Sequence, residues 1–246
     1  MRRAPLAADD VLGRLKALAD PARLPGMARY GIEVSNALGV SIPSLRAIAR
    51  TTGRDHALAL ALWRTGVHEA RILASMVDEP ARVTIRQMNG WASSFDSWDV
   101  CDQVCTNLFD RTDHAVDRAT AWSARPQEFV RRAAFATIAG LAVHRRDLSD
   151  DDVRALLDLV ESAADDDRKY VRKAVSWALR QIGKRNGELN AEAIATAERI
   201  GSRRTRSSRW IAADALRELT SEPVRRRLEL ERPDPLAGAA GRGRGW

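Results

Sequence analysis

A chain of 246 residues that is 45% hydrophobic can bury a sizeable core, as one elongated domain or two small ones. Nine prolines, fifteen glycines and 5% aromatics, against abundant Ala, Leu and Arg, argue for an all-α protein and against a sheet-rich one. A net charge of +7 and a pI near 10.2 favour a polyanionic partner, nucleic acid before an anionic membrane surface.

In chain order, the 3.6-residue periodicity predicts a first helix over 7–19, with Val11, Leu12, Leu15 and Leu18 on one side and Asp20-Pro21 as its stop. A short helix over 25–30 follows, then the loop Gly39-Val40-Ser41-Ile42-Pro43 and a helix over 43–51 with Pro43 in its first turn. Further helices are predicted over 55–65, 68–77, 81–94, 97–110, 113–124 and 127–143. The last group covers 149–163, 168–185, 190–200, 206–219 and a short segment near 222–231. Breaks fall at Gly53, Gly66, Asp78-Glu79-Pro80, Pro126, Asp165-Asp166-Asp167 and Gly187. Met1-Arg2-Arg3 is followed by no apolar run, and no stretch approaches membrane-spanning length, so the reading is a soluble, cytoplasmic protein without a membrane partner. Cys101 and Cys105 read as small buried hydrophobes, and His56, His68, His114 and His144 show no ligand spacing; no metal is expected.

The helix over 97–110 carries the chemistry. Asp96 or Ser97 can cap it, and Cys101, Val104, Cys105 and Leu108 form its buried stripe. Trp98 and Asp102, four residues apart, share one side, and Asp102 lies roughly 120° from the stripe. An aromatic face beside a carboxylate facing a groove can cradle a developing cation.

The later half repeats. Val130-Arg131-Arg132-Ala133-Ala134 recurs about 40 residues later as Val171-Arg172-Lys173-Ala174-Val175, and again, degenerately, near Ser208-Arg209-Trp210-Ile211. The first two copies share apolar phase: Val130, Ala134, Ile138, Leu141 and Val171, Val175, Leu179, Ile182. Such two-helix units predict a HEAT-like repeat solenoid, an α-α superhelix with a concave groove. Opposite the stripes, Lys173, Trp177 and Arg180 fall within roughly 60°, and Arg132, Arg172 and Arg209 recur at related phases, so the groove should be basic and follow a phosphate backbone. The competing reading makes these solvated charges joined in salt bridges. Trp63, Trp91 and Trp122 are assigned to packing between repeats; Tyr170 and Trp210 stay open.

Met27-Ala28-Arg29-Tyr30, Ser97-Trp98-Asp99-Val100-Cys101-Asp102, Val130-Arg131-Arg132-Ala133-Ala134 and Arg172-Lys173-Ala174-Val175-Ser176-Trp177-Ala178-Leu179-Arg180, in this order and spacing, resemble the bacterial AlkD-like DNA alkylation-repair glycosylases of HEAT-like repeats over roughly residues 20–220. The resemblance implies an active cleft of Asp102, Trp98, Trp177 and Arg132, with Tyr30 near the DNA groove. It also implies contact through the sugar-phosphate backbone, the base not being held in a protein pocket. Two departures bear on lesion preference: a single Trp precedes Asp99 where relatives can carry two, and Ser41 replaces a longer polar side chain.

On this reading Asp102 stabilises the oxocarbenium-like sugar as a cationic alkylpurine leaves, and orients water. Trp98 and Trp177 face the same cation, and Arg132 holds a phosphate. Tyr30, Arg131, Arg172, Lys173, Arg180 and Arg209 complete the DNA-binding set. The expected protein is a monomer, residues 1–232 forming the glycosylase domain and 233–246 a disordered Gly/Arg tail. It excises 3-methyladenine and 7-methylguanine from duplex DNA without cofactor, metal or lyase activity. The rivals are a catalytically silent solenoid that reads damaged or branched DNA, and a protein-binding scaffold.

Overall fold

The computed structural model describes residues 7–229, and among them it contains helices and turns with no strand. The helices are α1 (Ala8–Ala17), α2 (Leu24–Arg29), α3 (Ile42–Thr52), α4 (His56–Arg64), α5 (His68–Val77), α6 (Ile85–Ser93) and α7 (Trp98–Asn107). They continue as α8 (Ala115–Ser123), α9 (Glu128–His144), α10 (Asp150–Ser162), α11 (Lys169–Ile182), α12 (Gly187–Gly201), α13 (Arg206–Leu219) and α14 (Glu222–Arg227). The predicted tail over 233–246, the first six residues and the end of the last predicted helix lie outside the described residues.

Short polar side chains set the starts. Ser41, Asp55, Thr84, Asn186 and Thr205 each accept from a backbone N–H three residues on, and Ser149 with Asp152 completes a capping box. These caps correct two predicted boundaries. Thr84 splits the span over 81–94 into a 3-10 turn, Pro80–Arg82, and α6. Asn186 starts α12 at Gly187, three residues earlier than the apolar pattern indicated. The span over 97–110 also divides, because α7 ends at Asn107 and a 3-10 turn, Phe109–Arg111, follows.

Packing follows the repeat. α3, α5, α7, α9, α11 and α13 stack side by side as one row, while α4, α8 and α12 back onto α5, α9 and α13. The apolar stripes are the seam: Val130, Ala134, Ile138 and Leu141 of α9 are buried, as are Val171, Val175, Leu179 and Ile182 of α11 and Cys101, Val104, Cys105 and Leu108 around α7. Trp63 stacks on Trp91 with centroids 3.9 Å apart and planes 3° from parallel, and Trp91 and Trp122 are buried, as the packing role required. No helix of the described residues is long and apolar enough to cross a membrane. The site is therefore built on the middle of a stacked row, where α7 meets α9 and α9 meets α11.

Candidate active site

The start of α7 is held from neighbouring elements rather than by a side-chain cap. Ser97 occupies the cap position, but its hydroxyl donates to Asp99 Oδ1 (2.7 Å) and accepts from the Glu33 backbone N–H (3.3 Å). Asp96 receives both of its hydrogen bonds from Arg71 Nη1 at 2.8 Å. Neither residue caps the helix as the sequence suggested: Asp96 is held by Arg71 across the fold, and the Ser97 hydroxyl is turned to Asp99 within α7. Asp99 pairs with His68 Nε2 at 2.9 Å. Burial opposes charge on both groups, yet their mutual bond and attraction prevail: the imidazole is held above its ordinary pKa and the carboxyl below its own.

One turn on, Asp102 is half-buried and is not bare. Its carboxylate is gripped by Arg132 of α9 through Nε–Oδ1 at 2.9 Å and Nη2–Oδ2 at 2.7 Å. The third arm of that guanidinium, Nη1, donates to the Tyr170 carbonyl of α11 at 2.5 Å. The Asp102 side chain keeps 18% of its surface exposed and Arg132 only 6%. Burial pushes the Asp102 carboxyl up, against the pull of Arg132. Arg132 also lies over the Trp98 ring, 5.9 Å from its centroid.

A turn from the N-terminal region spans this pair. The Tyr30 carbonyl accepts from Trp98 Nε1 (3.2 Å), and the Gly31 carbonyl accepts from the Tyr170 hydroxyl (3.3 Å). Trp98 and Tyr170 are the residues on either side of the Arg132 guanidinium, so the turn bridges the site. Gly31 is required there: its φ is +77°, and a Cβ would come 2.2 Å from the Tyr170 hydroxyl oxygen. Tyr30 itself is 73% exposed at the edge.

Most of the remaining predicted residues have partners of their own. Trp177 lies seven residues beyond Tyr170, about 10 Å along α11, half-buried and packed against the core. Arg180 is committed to Glu218 and to Asp214 (3.4 Å), and Arg131 pairs with Asp166 at 3.1 Å. Arg172 lies over Trp210 at 5.1 Å, while Lys173 and Arg209 are exposed. The structure adds Tyr170, Gly31, Ser97 and His68 to the neighbourhood of Asp102. A helical wheel has no signal for contacts spanning 139 residues, such as Tyr170 to Gly31. Among the described residues no group of three His, Cys, Asp or Glu side chains could hold a metal ion.

Residues 11–219 match the family described as "DNA alkylation repair enzyme". Among solved structures, the chain is similar to one from a family of proteins related to the HEAT-like repeat DNA glycosylases with affinity for branched DNA structures. That similarity is 20% in identity, covers 92% of this chain and 98% of the other, and has a TM-score of 0.74. A designed armadillo repeat protein in complex with a (KR)4 peptide superposes less well, at 14% identity, 76% and 79% coverage and a TM-score of 0.33. No curated protein matches the sequence.

Proposed function

Because the chain belongs to the DNA alkylation repair enzyme family, we propose that it is a monofunctional DNA glycosylase, acting as a cytoplasmic monomer on cationic alkylpurines such as 3-methyladenine and 7-methylguanine in duplex DNA. The observation that supports this reading is the placement of half-buried Asp102 and Trp98 one turn apart on α7, with Arg132 within reach of both. An N3- or N7-alkylated purine leaves as a neutral base, so the enzyme's task is to stabilise the sugar cation and orient water.

The Arg132 bridge sets a condition on that chemistry. A lone carboxylate about 4 Å from the sugar cation, at an effective dielectric near 20, is worth about 4 kcal/mol, nearly a thousandfold in rate. A guanidinium about 7 Å from the same cation returns about 2.4 kcal/mol, leaving roughly twentyfold. The site reaches its full effect when a DNA phosphate takes over part of Arg132 and leaves Asp102 its charge. Trp98 presents its face to the same sugar, and Tyr30 and Lys173 extend the contact to the backbone.

A second reading, a catalytically silent binder of branched DNA, is favoured by one observation: both Asp102 oxygens are already engaged by Arg132. Incubation with methylated duplex DNA and chromatography of the released bases separates the two. The glycosylase reading predicts base release by the wild type, a loss of at least a hundredfold in Asp102→Asn, and DNA affinity kept within about threefold. Equal, negligible release by both proteins, with DNA binding intact, would establish the silent binder.

A further inference from the structure

The glycosylase proposal leaves a strongly charged concavity unused. Where α3, α5 and the end of α7 meet, a concavity of about 380 Å³ is lined by Arg46, Arg50, Arg54 and Arg111, with Asn107 and Met76 between them. No carboxylate is among its lining residues. Several arginines elsewhere are matched: Arg154 meets three carboxylates, and Arg180, Arg199 and Arg203 meet one or two each. Here Arg46 and Arg50 are exposed and form no ion pair with a described residue. Arg54 donates to the Asp78 carbonyl. Arg111 stands 3.8 Å from a buried Asp110 oxygen, and the other oxygen of that carboxylate is held by His144.

Ordinary helix electrostatics does not account for four cations in one place. Arg50 sits in the last turn of α3 and complements its dipole, but Arg46 lies a turn earlier, where that benefit has faded. Like charges at i and i+4, as these two are, disfavour the helix unless an anion sits between them. Asn107 adds a neutral amide that also donates to Gln103 and Ser75.

We propose that this arginine cradle is a phosphate-binding site that grips the backbone of bound DNA a few nucleotides from the sugar presented to Asp102. Along α7, Asn107 is about 8 Å from Asp102, and Arg111 lies in the 3-10 turn that follows. With one nucleotide per 3.4 Å of duplex axis, about 8 Å is about two nucleotides along a strand. The cradle rests on the DNA-binding part of the proposed function and adds a second point of contact to it. Two contacts along one strand fix the register of the duplex, so that the sugar facing Asp102 is set by the phosphates on the cradle.

The test is fluorescence anisotropy of labelled duplex DNA with the full chain, from 50 to 200 mM salt, for the wild type, the Arg46→Ala/Arg50→Ala double variant and the Arg46→Lys/Arg50→Lys control. All substituted side chains are solvent-exposed, and circular dichroism verifies the fold. Each phosphate neutralised contributes about 0.9 to the slope of log affinity against log salt, so the alanine pair should flatten it by nearly 2 while the lysine pair keeps it. An alanine pair with the wild-type slope overturns the cradle. Wild-type protein that binds no DNA at 50 mM salt overturns the glycosylase proposal itself, a distinct outcome.

Discussion

At the scale of single residues, the ionisation of Asp102 decides what the site can do. The carboxylate must be charged to stabilise a sugar cation, and burial raises its pKa above the ordinary 3.8 despite Arg132. Enzymatic base release, corrected for spontaneous depurination, should therefore fall on the acid side with an apparent pKa above 3.8. An acid limb at or below that value would mean that Asp102 is not the group whose charge limits the reaction. The same burial has a cost for the fold: a carboxyl with a raised native pKa loses stability as pH climbs from its unfolded pKa toward its folded one. Asp147, with a pKa of about 2 beside Arg145, behaves in the opposite sense.

Between elements, α5 and α7 are joined by the His68–Asp99 pair and the Arg71–Asp96 pair, which together fix the start of the helix that carries Trp98 and Asp102. His68 has a raised pKa, so its contribution is fully present below 6.5 and fades as pH rises through the raised value. Asp99 has a lowered pKa, so its contribution is present above 3.8 and fades as pH falls through the lowered value. The pair stabilises most between these limits. Thermal melts from pH 4 to 9 should show the wild type losing stability relative to His68→Gln as pH rises above 6.5, where the variant's profile should be flatter. Parallel alkaline limbs for the two proteins would show that this contact does not titrate in the folded state.

For the whole molecule, α9 is the keystone of the row, buried along most of its length between α7, α8 and α11. Ile138, fully buried at its middle, should cost about 2–5 kcal/mol when cut to Ala, because a packed seam relaxes only in part around the cavity. At about 2–4 °C per kcal/mol for a chain of this size, the melting temperature drops measurably. A shift below 2 °C would show that the repeats on either side of α9 do not depend on it. The sequence by itself determined the helices, their repeat and the packing stripes, because helical periodicity and capping are encoded within a few residues of each position. It also placed Trp98 and Asp102 on one side of α7, a local relation set by four-residue spacing. Only the tertiary structure decided that both oxygens of Asp102 lie on Arg132, that the Tyr30–Gly31 turn crosses to Tyr170, and that Arg46, Arg50, Arg54 and Arg111 converge. Those outcomes depend on how far one helix is displaced and rotated against the next in the stack, a sum over many contacts that no window of the chain contains.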